Sequence, residues 1–423
     1  MLLEYKGYTL KVGFFIFKKI LIIGGGIAGL SSAISLCKKG FSSNDIFILE
    51  REAELGGTLK YNLDGNYGLI TFDSFVTSYE FLNFLIEDLE SLKVEYLLNT
   101  CVTSINDKKV SVISKDLGKI DIEFEILIIA TGSKQILNLH SYIYDDNILK
   151  SLSTGVFFQK NISINGLLLS KDILITGTSS RELFLAKRTI LEGGSVKGII
   201  EKGDKIVSND LGLINFMKVN KVNIYLNSVI EKITKTHLGF QNYLDVLINI
   251  NGKNHKNILC GKIICPFKYL PETKFLNDYV ETGDLNEITI NDKFMTSKKG
   301  IFSIGNSCNL YTNTDSIYVD SDYLAQSVLD FVNGKNNELN NIEICYDKKD
   351  IKLITPKYIT NKKDQKHLII LLSQKNISKN IKIMINSEEF FDFRVLRFEN
   401  YIEILLNLEL YLNEINKVNI LLN

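Results

Sequence analysis

The chain has 423 residues, enough for two to four domains with substantial cores. Lys+Arg and Asp+Glu number 49 each, so the net charge is zero, which argues against a large footprint for nucleic acid while leaving room for a local patch. The six cysteines (Cys37, Cys101, Cys260, Cys265, Cys308 and Cys345) contain no CxxC pair, and the four histidines are scattered; together with the lack of a secretory signal this implies free thiols in a cytoplasmic protein with no metal site.

An apolar patch, Val12–Phe17, is too short to span a membrane and implies a short extra strand or extension. Ile20–Ile23 is a continuous apolar run, as in a strand buried on both faces of a parallel sheet. Gly24, Gly26 and Gly29 follow with GxGxxG spacing, and Leu30, Ala33, Ile34 and Cys37 then recur at helical spacing up to Gly40. A second apolar run, Ile46–Leu49, ends in Glu50. Strand, glycine turn, helix, strand and terminal acid make up a dinucleotide fingerprint. Gly24 permits the tight turn, Gly26 the approach of a pyrophosphate, and Gly29 the close packing of helix on strand. The phosphates would rest on the helix N-terminus and Glu50 on the ribose hydroxyls.

Gly56-Gly57 opens an irregular stretch. Phe72–Leu92 has Phe75, Tyr79, Leu82, Ile86 and Leu89 at helical spacing, and Val94–Leu98 and Val110–Ile113 read as strands around a turn at Asn106-Asp107. Glu123–Ile129 leads into Ala130-Thr131-Gly132. From Lys171 the opening pattern restarts: strand Ile173–Ile175, a turn at Gly177, a helix to about Glu192, and strand Val196–Ile200 ending in Glu201. Further strands are expected at Ile224–Leu226, Tyr243–Ile250 and Ile258–Cys265, with Cys260 packed and Cys265 partly exposed. Gly300–Gly305 is a short strand ending at Asn306, a helix is expected at Ser321–Val332, and Asn333–Asn341 reads as a linker. Six apolar runs between Ile351 and Leu422 imply a small β-sandwich or barrel.

Four landmarks in this order (Gly24/Gly26/Gly29 with Glu50; Gly56-Gly57; Ala130-Thr131-Gly132; Gly300 to Gly305-Asn306) resemble the two-dinucleotide-binding-domain flavoproteins over about residues 18–333. Closer still, Ile354-Thr355-Pro356-Lys357 is similar to the opening of a third domain in flavin oxidoreductases found alongside anaerobic-type glycerol-3-phosphate dehydrogenases. The resemblance implies FAD on the first module and NAD(P)H on an inserted one. It assigns cofactor binding to Gly24, Gly26, Ile27, Ala28, Gly29, Glu50, Arg51, Gly57, Thr58, Val102 (backbone to adenine), Ala130, Thr131, Gly132, Gly305 and Asn306, with Asn306 where many relatives carry an Asp toward the ribitol chain.

The chain departs from the family where the chemistry lies. The positions that would be redox cysteines after Gly56-Gly57 are Leu59 and Asp64, and the inserted module has no CxxC, so dithiol exchange is not expected. Where the glycerol-associated relatives carry Gln-Cys-x-His, this chain has Tyr61, Asn62 and Asp64, and the glycine of a Gly-x-x-Pro turn is Lys268. In the second fingerprint only Gly177 survives; Ser179 and Glu182 replace the later glycines. One carboxylate about 4 Å from a phosphate, at an effective dielectric near 20, repels it by on the order of 4 kcal/mol before screening.

The expected architecture is α/β, with two Rossmann-like nucleotide-binding domains, the NAD type inserted in the FAD type, and a small C-terminal all-β domain. The boundaries are 1–155 with 290–335 for FAD, 156–289 for NAD(P), and 336–423 for the β domain. The expected activity is FAD-dependent oxidoreduction, moving hydride or electrons through flavin from NAD(P)H or a partner dehydrogenase. A small-molecule redox substrate and a dehydrogenase or electron-acceptor subunit are the expected partners, with no nucleic acid and no transmembrane segment. The alternative is a degenerate flavoprotein serving as a binding or scaffold subunit.

Overall fold

Runs of isoleucine and leucine flanked by glycine turns set the two sheets on which the chain is built. The computed structural model describes residues 2–5, 8–11, 16–62, 67–137, 146–238, 241–265, 267–276, 278–308, 314–335, 341–360, 365–372, 380–398, 401–409, 411 and 414–422. Contacts gather the chain into two units, Met1–Lys134 with Leu270–Asn423, and Gln135–Tyr269.

In the first unit five parallel strands lie in the order Glu95–Leu97, Ile46–Leu49, Ile16–Ile23, Gly118–Ile129, Ile301–Ser303. Leu97, Leu49, Ile23, Ile129 and Ser303 stand in register across it, so all five strands end along one line. The chain order reverses between Ile16–Ile23 and Gly118–Ile129, the switch point at which open α/β sheets bind ligands. Alternation along the first strand covers both faces. Ile20 and Ile22 pack in a cluster with Leu30, Ala33, Ile34 and Phe81, while Leu21 and Ile23 pack with Val110, Val112 and Leu276. An antiparallel meander, Thr100–Asn106 and Lys109–Ser114, pairs with the first half of Gly118–Ile129.

The second unit repeats this plan. Its parallel sheet runs Ile224–Tyr225, Ser195–Ile200, Asp172–Thr176, Lys262–Ile264, Leu152–Ser153, beside an antiparallel meander of Ser228–Leu238, Gln241–Ile250 and Asn254–Cys260. The repeat extends to single hydrogen bonds. Gly24 N–H donates to Leu49 O at 2.8 Å, and Gly177 N–H to Ile200 O at 2.7 Å. Glu50 N–H donates to Leu97 O at 2.9 Å, and Glu201 N–H to Tyr225 O at 2.8 Å. Asn99 and Asn227 hold the matching left-handed turns, with φ 50° and 47°.

The C-terminal strands form two sheets around one apolar cluster, to which Ile344, Ile359, Ile383 and Val418 come from one sheet and Ile351, Leu368, Ile370 and Ile404 from the other. That arrangement is a sandwich. It belongs to the first compact unit, tied to the chain near Asp292: Lys366 Nζ donates to the Asp292 carboxylate, and Thr360 N–H donates to Asp292 Oδ1 at 2.7 Å.

Several elements differ from the sequence reading. The strand that carries Ile20–Ile23 begins at Ile16, because residues ahead of Ile20 still find partners from Ile122 onward. The helix expected over Phe72–Leu92 is Ser78–Ser91, since Thr77 caps it by accepting from Glu80 N–H while Glu80 accepts from Thr77 N–H. Phe75 is left outside the helix and exposed, and within it the buried face is Phe81, Leu82, Leu85 and Leu89, with Tyr79 on the exposed side. The single strand expected over Ile258–Cys265 is two, broken at Gly261, where a Cβ would collide with Ser170 Oγ. The helix expected from Ser321 begins at Thr314. Asp64, Val12–Phe15 and the Lys268 side chain lie outside the described residues. Among the described residues no helix is long and apolar enough to cross a membrane.

Candidate functional site

The site grows from the turn between Ile16–Ile23 and helix Ile27–Lys38. Gly24 has φ +111° and lies so close to the Ala130 carbonyl that a Cβ would collide with it. At Gly29 a Cβ would collide with the Gly24 carbonyl oxygen, so helix and turn touch backbone to backbone. Gly26 is different. Its φ is an ordinary −79°, and a Cβ there would meet only Gly57 Cα, at 3.8 Å. Gly26 is also the N-cap, and no side chain caps the helix. The first-turn N–H groups and positive dipole end thus face a space lined by backbone, a seat for an anion. Ile27 and Ala28 form that first turn.

Glu50 stands at the end of Ile46–Leu49 and is only 7% exposed. Its carboxylate accepts from Gly25 N–H at 2.6 Å and Glu52 N–H at 2.8 Å, which fixes its direction and leaves lone pairs for ribose hydroxyls. Arg51 is exposed and pairs with Glu272 at 3.3 Å. Gly56 and Gly57 both have positive φ, and Gly56 N–H donates to Gly25 O at 2.8 Å, bringing Gly57 and Thr58 alongside the glycine turn. Val102 is half-buried on the meander against the Leu21 and Ile23 side of the core.

The other wall comes from across the switch point. Ala130 N–H donates to Ile23 O at 2.9 Å, Thr131 Oγ1 donates to Glu272 O at 2.9 Å, and Gly132, φ +66°, accepts from Glu272 N–H. Gly305 has φ +77°, and a Cβ on it would stand 2.8 Å from Ala28 Cβ. The return segment therefore closes against the first turn of the fingerprint helix. Ser303 and Ser307 hydroxyls both donate to Ile129 O, at 3.1 and 3.2 Å, fixing the turn that presents half-buried Asn306. The sequence reading named the glycines and Asn306 but missed these two serines, whose signal is a hydroxyl at each end of a buried strand-to-turn step.

The residues expected to contact a cofactor thus lie on adjoining segments of one unit, and the backbone cradle fits the diphosphate of a dinucleotide. The thiols lie elsewhere in character. All six cysteines are free, and burial pushes Cys308, Cys260 and Cys265 up to about 12. Cys265, expected to be partly exposed, is buried because Lys262–Ile264 is a central strand of its sheet. Leu59, at one redox-cysteine position, is a buried member of the core.

In the inserted unit the equivalent turn is filled. Glu182 Oε2 accepts from Ser179 N–H at 3.1 Å and from the Ser179 hydroxyl, and a Cβ on Gly177 would stand 3.4 Å from Glu182 Cγ. Glu201 is not the solvated acid common at strand ends: it is 7% exposed and accepts from Thr178 Oγ1 at 2.7 Å and Gly203 N–H at 2.9 Å, as Glu50 does from its own turn.

The pyridine nucleotide-disulphide oxidoreductase family model matches residues 18–319. Among solved structures, thioredoxin reductase from Lactococcus lactis is 21% identical, with a TM-score of 0.59, covering 75% of this chain and 99% of that one. Thioredoxin reductase from T. acidophilum is 17% identical with a TM-score of 0.57, covering 75% and 99%. Bacillithiol disulfide reductase from Bacillus cereus is 16% identical with a TM-score of 0.56, covering 74% and 98%. At such identities the likeness is one of fold. A 44-residue stretch is 52% identical to a Baeyer-Villiger monooxygenase of Penicillium patulum, so the chain spans only 7% of the length of that curated relative.

Proposed function

The chain belongs to the pyridine nucleotide-disulphide oxidoreductase family, and on that premise we propose that it is an FAD-dependent oxidoreductase that does not work by dithiol exchange. One observation carries the reading: the helix Ile27–Lys38 begins at Gly26, which no side chain caps, in a turn where Gly24, Gly57 and Gly305 let the backbone segments close on one another. FAD, when bound, supplies the two-electron chemistry, and the protein supplies position and access.

In this reading the N–H groups of Ile27 and Ala28 hold the diphosphate beside Gly24, Gly26 and Gly29. Glu50 takes the adenosine ribose, with Arg51 at its exposed edge, and the Val102 backbone meets the adenine. Gly57 and Thr58 line the diphosphate from the other side, Ala130, Thr131 and Gly132 line the cofactor across the switch point, and Asn306 beside Gly305 reaches the ribitol hydroxyls. The donor is NAD(P)H or a dehydrogenase subunit of the kind that accompanies glycerol-linked flavoproteins, and a small molecule or acceptor subunit takes the electrons. Leu59 in the core supports the exclusion of dithiol chemistry, because a buried leucine replaces a nucleophilic thiol.

The test is spectroscopic. Protein purified or reconstituted with FAD shows a bound-flavin absorption spectrum, and anaerobic titration with NADH, NADPH and glycerol 3-phosphate in turn identifies the donor by bleaching it. Failure to retain flavin after reconstitution favours the second reading, a degenerate flavoprotein acting as a scaffold subunit, to which the filled turn at Glu182 also lends support.

A further inference from the structure

The two units carry the same strand–turn–helix–strand in the same register, and they differ at the point where a dinucleotide's diphosphate would sit. In the first unit the N-cap is Gly26 and no side chain caps the helix. In the second, helix Ser180–Leu191 has Ser179 as its N-cap, and the carboxylate of Glu182 folds back over the cap. Glu182 occupies the place of Gly29, where the first unit leaves no room for any Cβ.

We infer that Glu182 acts as a built-in substitute for the diphosphate and closes the second nucleotide seat, so that the inserted unit does not take up NADH or NADPH. Three observations converge. The Glu182 carboxylate already accepts from Ser179 N–H at 3.1 Å and from the Ser179 hydroxyl, so a carboxylate stands over the N-cap that the first unit leaves bare at Gly26. Its side chain packs against Gly177, with Cγ, Cδ and Oε2 at 3.4, 3.5 and 3.5 Å from where a Cβ would stand, so the carboxylate is held within the turn itself. Its negative charge satisfies the helix dipole and repels a second anion. The remainder of the seat is intact, since Glu201 is buried and held as Glu50 is, by Thr178 Oγ1 at 2.7 Å and Gly203 N–H at 2.9 Å. The change is therefore local to Ser179 and Glu182. A specificity consequence follows, and it rests on the flavin reading above: electrons reach the flavin from a partner protein or a small donor that docks elsewhere.

The closure concerns the inserted unit alone, so its test does not depend on flavin. Binding of NADH and of NADPH is measured by calorimetry on the FAD-loaded full chain and on the flavin-free chain carrying Gly26→Ala, which narrows the first unit's seat, each with the native inserted unit, Glu182→Gln and the double variant Ser179→Gly/Glu182→Gly. The native protein is expected to show no saturation up to roughly 1 mM of either nucleotide, the upper end of ordinary enzyme–substrate affinities. The double variant is expected to bind at least about tenfold more tightly, and Glu182→Gln, which removes the charge and keeps the bulk, by less. Native protein that saturates with either nucleotide below roughly 1 mM overturns the inference whatever the variants do. So does a double variant with native circular dichroism and unchanged affinity. Loss of FAD binding with these nucleotide results intact would defeat the flavin reading and leave the closure standing.

Discussion

Gly26 and Gly57 meet backbone to backbone: a Cβ on Gly57 would stand 3.1 Å from Gly26 Cα. Between them the first helix turn is left bare, while Gly29, one turn on, is locked against the Gly24 carbonyl. The two glycines of one motif are therefore held differently: Gly29 is locked into the fold, and Gly26 is free of side-chain contact, as the proposed diphosphate seat requires.

Substitution separates the two glycines. Gly26→Ala adds a methyl that finds ordinary space at an allowed φ of −79°, so stability changes by less than about 1 kcal/mol. The methyl enters the diphosphate seat, and bound flavin is expected to fall at least about tenfold. Gly29→Ala forces helix and turn apart and is expected to lower thermal stability with or without flavin. Melting curves of apo and FAD-loaded protein, beside the flavin absorbance of each variant, check both. A Gly26→Ala protein that keeps native flavin content would show that the cofactor lies elsewhere.

The strand–turn–helix–strand around these glycines was legible in the sequence because glycine spacing, an apolar strand and a terminal acid are local signals. The internal repeat was legible for the same reason, and the shared strand order now extends it. What escaped was set by contacts distant in the chain or by competition at helix ends. Phe75 and Tyr79 keep helical spacing with Leu82, yet Thr77 and Glu80 begin the helix between them and leave both aromatics outside the buried face. Glu201 is legible only as an acid at a strand end, and its enclosure comes from Thr178 and Gly203, neither of which signals it in the sequence. Ser303 and Ser307 are joined through Ile129 O, more than 170 residues away in the chain.

Thiol chemistry gives a second prediction. Burial raises Cys308, Cys260 and Cys265 to about 12, so at pH 8 the thiolate fraction of each is on the order of one in ten thousand. Raising the pH increases that fraction, by about tenfold per unit below the pKa. At pH 8 an alkylating reagent should modify the exposed Cys101 and Cys345 rapidly, the half-buried Cys37 slowly, and the other three only after denaturant is added. Mass spectrometry of quenched time points reads the order. Prompt labelling of Cys308 in folded protein would contradict the packing around Gly305.

The last prediction concerns the contact between the C-terminal sandwich and the segment that leads back to Gly305. Asp292 and Lys366 form an ion pair with side chains 2% and 0% exposed. Asp292 also accepts from Thr360 N–H at 2.7 Å and Thr360 Oγ1 at 3.0 Å, and Lys293 approaches it at 3.6 Å. Lys366 Nζ also donates to Thr360 Oγ1 at 3.2 Å, so the partners differ in that Asp292 has a second cation, Lys293, nearby. Asp292→Asn leaves the Lys366 ammonium buried without its countercharge, which costs about 3–5 kcal/mol and lowers the melting temperature by roughly 10 °C. Lys366→Met leaves Asp292 with its Thr360 donors and Lys293 nearby, so it should cost clearly less. Combining the two substitutions should recover part of the Asp292→Asn loss, because the stranded charge is gone. Flavin retention should fall with Asp292→Asn as well, since Ile288 N–H donates to Ser307 O at 2.9 Å and Met295 bridges to Phe302, so the Asp292 segment holds the strand and turn that present Gly305. A double-mutant cycle by thermal melting, read beside flavin content, checks the sign of each step, and equal losses from the two single substitutions would refute the asymmetry.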